Sequence, residues 1–336
     1  MALKAIFSVV LNVRNFERSR QFYEWLGFTE DVGFRLRDEV SLPRELGENL
    51  GVDFATQRHS ALVSFPWEPY MHIELVEWQD SKVGGWPPAY HQIGSPAYSF
   101  LVDDIEGEVA ALQKRGVEPL VPLVVVERTW GPTRTAVFRD PDGNFVHLIE
   151  INYFDDSWDA SNRSVVGSPI SFLHFQVNTD NWDAMSEFYE PFGFDVDTGV
   201  QSRPGTSFQD DIGGSTESWT ARWPDLDPTT LGTYSLLRLP SDKSNMHMEL
   251  FAVPNLHDPG ATPIWNQRGV IRLCFLDEHE DERVAEMKRR GVPIIIENHR
   301  FTAHWGDSKF MYFTDPDGNI LCCEQWHRPR IWGERW

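Results

Sequence analysis

The chain is poor in cysteine, with Cys274, Cys322 and Cys323 the only three in 336 residues. That is too few for a disulfide framework, and the spacing is wrong for a CxxC zinc site, so the sequence suits a reducing, cytoplasmic setting. Basic residues are also short, 30 against 51 acidic ones, a formal net charge of −21. Nucleic acid or an anionic membrane surface would call for a basic face, so neither is an expected partner. No apolar run reaches the roughly 18 residues a membrane-spanning helix needs. The opening MALKAIFSVVLNV is broken by Ser8 and Asn12 and reads as a first strand rather than a signal peptide. Aromatic residues, by contrast, are abundant: 13% of the chain, with 14 tryptophans. They serve packed cores, and they equally suit a cavity for a flat, apolar ligand.

The sequence also repeats itself. DPDGN occurs at Asp140–Asn144 and Asp315–Asn319, and three other landmarks recur at the same separation of 175 residues: His72-Ile-Glu-Leu75 with His247-Met-Glu-Leu250, Lys114-Arg-Gly-Val117 with Arg289-Arg-Gly-Val292, and Trp130-Gly131 with Trp305-Gly306. Phe22-Tyr23 likewise matches Phe188-Tyr189, each followed by a Gly-Phe. The chain is therefore a duplicated unit, with halves at 1–155 and 168–327. Asp-Pro-Asp-Gly itself suits a type I turn between antiparallel strands, so the motif is structural.

Each half divides again. Residues 4–13 read as a strand, Asn15 as the N-cap of a helix over 16–26, and three extended segments follow up to residue 80. A second module over 95–154 repeats the plan, with Asp104 capping its helix. Modules over 168–253 and 268–326 repeat the first and second. Insertions at 37–59 and 201–233 are long enough to act as lids or rims. The fold class expected is α+β, built from four βαβββ modules.

These four modules, the S-x-x-FY-x-x-LGF helix from Ser19 to Phe28 and the F-x-DPDGN hairpins from Phe138 and Phe313 resemble the vicinal oxygen chelate superfamily, which includes glyoxalase I, bleomycin-resistance proteins and extradiol dioxygenases. The resemblance spans nearly the whole chain. It implies two glyoxalase-like domains whose modules pair into curved, mixed β-sheet cups, with a divalent metal held inside a cup by residues of the first and last strands of each module.

Carried over residue by residue, the first-strand slot lies fourteen residues before the Phe of Phe-Tyr, on His174 in module three and Ser8 in module one. The last-strand slots fall on Glu74 and Glu249, and on His147 and Cys322, seven residues past the first Asp of DPDGN. A carboxylate inside an apolar strand is expensive unless paired or metal-bound, which supports Glu74 and Glu249 on residue type alone. The first-strand slots of modules two and four fall on Ala97 and on Arg272, or Ile271 with a register slip. Pairing modules one with two and three with four leaves each cup short of ligands. Pairing two with three collects His147, His174 and Glu249, and leaves Ser8, Glu74, Arg272 and Cys322 as a poor site in the other cup. The same set could also assemble across a homodimer.

Two histidines and a carboxylate are the donor set of non-haem Fe(II) oxygenases. The leading expectation is an Fe(II) extradiol-type dioxygenase that cleaves a catechol-like aromatic, with Mn, Zn or Ni as alternative metals. Trp130, Phe145 and Tyr98 are candidate wall residues for the small-molecule substrate, and His247 a candidate acid or base behind the metal. A metal-dependent isomerase, epimerase or lyase is the second reading. A non-catalytic aromatic-binding or resistance protein is the third.

Overall fold

The computed structural model describes residues 2–31, 44–82, 92–95, 97–126, 131–154, 165, 167–197, 206–207, 233–244, 246–252, 264–303 and 306–327. Module one runs β1 (Ala5–Val13), α1 (Phe16–Trp25), β2 (Thr29–Glu30), α2 (Arg44–Leu50), β3 (Gln57–Phe65) and β4 (Glu68–Trp78). Module two contains β5 (Ala97–Val102), α3 (Ile105–Lys114), β6 (Val121–Val126), β7 (Thr133–Arg139) and β8 (Phe145–Ile151). Module three has β9 (Ile170–Thr179), α4 (Trp182–Tyr189), β10 (Asp195–Val196), β11 (Thr206–Ser207), β12 (Thr233–Arg238) and β13 (His247–Ala252). Module four has β14 (Gly269–Leu276), α5 (Glu280–Arg289), β15 (Ile294–Ala303), β16 (Gly306–Thr314) and β17 (Ile320–Trp326). The helix starts follow the caps read in the sequence: Asn15 accepts from Arg18 N, and Asp104 from Gly107 N. The helix α2 was not anticipated; it lies in the first insertion, where turn formers dominate.

The modules pair in crossed order. One sheet runs β15-β16-β17-β14-β1-β4-β3-β2, joining modules four and one; the other runs β10-β12-β13-β9-β5-β8-β7-β6, joining three and two. The seams are the antiparallel pairs β1 with β14 and β5 with β9. Each sequence half thus gives one module to each sheet. The segment expected to separate the halves lies largely outside the described residues.

Alternation along the strands divides the side chains between two faces. One face of both sheets, together with the helices, builds a shared core. Phe28, Phe65, Phe100 and Phe172 meet there across the two sheets, with ring centroids 4.1 to 5.9 Å apart. The DPDGN turns anchor this layer. Asp140 accepts from the backbone of Asp142 and Asn144, the Asn144 amide and the Tyr23 hydroxyl; Asp315 does the same with Asp317, Asn319 and Tyr189. The Tyr of each Phe-Tyr pair therefore ties module one to two and three to four, while the sheets tie one to four and two to three. Gly131, at φ 144°, lies so close to Asn152 that an added Cβ would sit 2.1 Å from its carbonyl oxygen, which accounts for glycine there. The opposite face of each sheet carries its own cluster.

Candidate functional site

The seams set the geometry of both of these faces. In the sheet of modules two and three, His174 on β9 stands opposite Ser99 on β5, and Ser99 stands beside His147 on β8. Glu249 on β13 stands beside Gln176, two residues past His174 on the same face. With strands about 4.8 Å apart, His147 and His174 flank Ser99 at roughly 10 Å between backbones. The Ser99 hydroxyl lies 2.8 Å from His174 Nε2, and Glu249 Oε2 lies 3.3 Å from the same nitrogen. His147 and His174 are buried. The structure thus puts His147, His174 and Glu249 on one face of the sheet, the face that carries Phe145, Tyr234, Leu236 and Phe251.

Among the described residues, no three His, Cys, Asp or Glu side chains stand together as a formed metal cluster. The donor set fits a divalent cation in kind: two imidazoles and a carboxylate suit Fe, Mn, Zn or Ni. His174 Nε2 faces the Ser99 hydroxyl and a Glu249 carboxylate oxygen. A cation on this face would be held by His147, His174 and Glu249, with the Ser99 hydroxyl a further oxygen within reach of His174.

Three expectations need correction. The residue of module two facing His174 is Ser99, not Ala97, and in module four the residue facing Ser8 is Cys274, not Arg272 or Ile271. Counting from sequence landmarks failed because the slot is fixed by the antiparallel seam, which carries a register shift beside Ser99. Tyr98 is not a wall residue of the cup. It points into the shared core, where its hydroxyl meets those of Tyr23 and the Asp140 carboxylate, and burial drives its pKa well up. His247 is engaged at both nitrogens, Nδ1 at 3.1 Å from the Leu173 carbonyl and Nε2 at 2.8 Å from Asp197 Oδ2. The pair clasps β13 to the strand bearing His174. Trp130 lies outside the described residues.

The Asp197 clasp was missed in the sequence, although a signal was present. His72 lies 3.6 Å from Asp31, the matching pair in module one. Both aspartates close a Gly-Phe-x-x-Asp, Gly27–Asp31 and Gly193–Asp197.

The sheet of modules one and four holds the equivalent face. Ser8 faces Cys274, Cys274 lies beside Cys322, and Glu74 beside Val10. A cavity of about 120 Å3 opens over them, lined also by Arg272, Trp265 and, from the first insertion, Leu46. Burial pushes the Cys322 thiol well above its usual range and Glu324 up to about 7. Burial also raises Glu74, against the pull of Arg272.

The family model of the Glyoxalase/Bleomycin resistance protein/Dioxygenase superfamily matches residues 5–148 and 171–323. The chain belongs to this superfamily. Among solved structures, glyoxalase I from Zea mays superposes with a TM-score of 0.59 at 16% identity, covering 96% of this chain and 92% of that one. A putative dioxygenase from Bacillus subtilis superposes with a TM-score of 0.59 at 11% identity, over 98% and 87%. At these identities the likeness establishes the fold alone. No curated protein matches the sequence. No helix among the described residues is long and apolar enough to cross a membrane.

Proposed function

We propose that the chain is a metal-dependent enzyme whose reaction takes place in the cup of modules two and three, and that the reaction is extradiol-type oxidative cleavage of a small catechol-like aromatic with Fe(II). The observation that carries this is the alignment of His147, Ser99 and His174 across three adjacent strands, with Glu249 3.3 Å from His174. A divalent cation bound there supplies Lewis acidity toward neighbouring substrate oxygens and, as iron, the redox capacity for ring cleavage. The protein's own part is to place and shelter the substrate. Phe145, Tyr234 and Phe251 offer an aromatic wall to a planar ring. The His247–Asp197 clasp fixes β13 against β9, so Glu249 and His174 stay in contact. Glu249, with an oxygen at the site, can receive a proton from a substrate hydroxyl.

Ser99 favours a second reading. With Ala97 in the first-strand slot the site would have three protein donors, which points to an oxygenase. The hydroxyl of Ser99 makes a fourth donor available, as an isomerase or lyase of the glyoxalase I type would use. Oxygen uptake with a catechol panel under Fe(II) separates the two. Uptake that depends on His174 supports the dioxygenase. Metal-dependent turnover of a hemithioacetal without oxygen uptake would replace it with the second reading.

A further inference from the structure

The face of modules one and four has Ser8 and Cys322 where the other has imidazoles, and a cavity with an arginine in it. Arg272 occupies the position that Ala97 holds in the other sheet, one residue pair along the strand from the seam contact. Its side chain is 7% exposed, and its guanidinium stacks 4.0 Å from the Trp265 ring and 6.0 Å from that of Tyr312. The nearest carboxylate oxygen, Glu74 Oε2, is 3.7 Å from Nη2, too far for a hydrogen bond. Nε and Nη1 are buried and make no hydrogen bond. A desolvated guanidinium with idle donors is costly, and a planar carboxylate is the group that best satisfies it.

We propose that this cup is a second ligand site, which takes a small monocyclic carboxylate with Arg272 as its anchor. The cavity's size supports one ring: about 120 Å3 compares with the roughly 150 Å3 cavity known to take benzene. Its walls are apolar and aromatic, with Phe7, Trp78, Trp265 and Phe310 among them. The charge pattern selects a monoanion. Glu74 and Glu324 also line the cavity, among the described residues no second basic side chain does, and a phosphate dianion would meet both carboxyls with one arginine to hold it. Burial raises both carboxyls, Glu74 against the pull of Arg272 and Glu324 to about 7. The same guanidinium opposes a metal cation among Glu74, Cys274 and Cys322, so the two cups are built for opposite charges.

The test is calorimetric titration of the full chain with benzoate, in the presence of a chelator so that the other cup holds no metal. Saturable binding is expected, with benzyl alcohol weaker by about tenfold or more for want of the charge-assisted bonds. Inorganic phosphate should not compete. Arg272→Gln should reduce benzoate affinity to that of the alcohol, while His174→Ala should leave it unchanged. Should Arg272→Gln fail to fold, the wild-type comparisons decide, together with a 4-bromobenzoate soak that should place bromine in the cavity of modules one and four, on the side of the ring away from Arg272. No saturable benzoate binding, equal affinity for the alcohol, competition by phosphate, or bromine in the other cup would overturn the proposal.

Discussion

The two cups occupy the same fold in the same register and differ in the side chains at four of five matching positions. His174, Ser99, His147, Glu249 and Ala97 on one sheet correspond to Ser8, Cys274, Cys322, Glu74 and Arg272 on the other. The glutamate is common to both. A hydroxyl and a thiol whose burial disfavours the thiolate are weaker cation donors than two imidazoles, and a guanidinium in place of alanine adds a fixed cation. Scaffold and electrostatics are therefore separable in this fold: the seam fixes where groups converge, and a few substitutions decide which charge the site accepts.

Transplanting the arginine should break the difference most severely. Ala97→Arg would put a guanidinium beside the His147–Ser99–His174 row, and we expect it to abolish metal retention, measured by elemental analysis of protein purified without chelator. His174→Ala and His147→Ala should each lower bound metal by about a hundredfold or more, whereas Glu74→Ala should leave it unchanged, since removing a ligand is more severe than the 10- to 100-fold typical of an outer partner. Equal loss from Glu74→Ala would mean that the metal belongs to the other cup. Asp197→Asn, which weakens the clasp on His247, should fall in that intermediate range of roughly 10- to 100-fold in metal affinity.

The smallest effect concerns pH. Glu324 corresponds to Ile149 in the other sheet, and burial raises its pKa to about 7, above the roughly 4.3 of an exposed glutamate. A raised carboxyl contributes stability that is fully present below about pH 4 and is lost as pH rises through about 7, because the unfolded chain ionises first. Glu324→Gln should therefore lose less thermal stability than wild type between pH 4.5 and 8. Parallel melting curves across that range would count against the burial.

Much of the fold was legible because its markers are local. Phe-Tyr helices, DPDGN turns and capping residues each act over a few positions, so modules could be counted and strand parity assigned. Which modules pair was accessible only through the chemistry of the slots, since seam contacts such as His174 with Ser99 join residues far apart in sequence. The slot error at Ala97 has that cause. The Tyr98 error was avoidable: a residue next to Ala97 in a strand must face the other way. Arg272 was visible as a residue that cannot bind metal, but its stacking on Trp265 and Tyr312 depends on tertiary packing. The repeated Gly-Phe-x-x-Asp was readable, and its meaning came only with the His–Asp contacts.

The central claim is that the duplicated scaffold holds its metal in the cup of modules two and three. An anomalous-scattering map of crystals grown with Fe(II), collected at the iron edge, tests it most directly. The account predicts one peak bounded by His147, His174 and Glu249, and none near Arg272. A peak among Glu74, Cys274 and Cys322, or no peak in either cup, would contradict it.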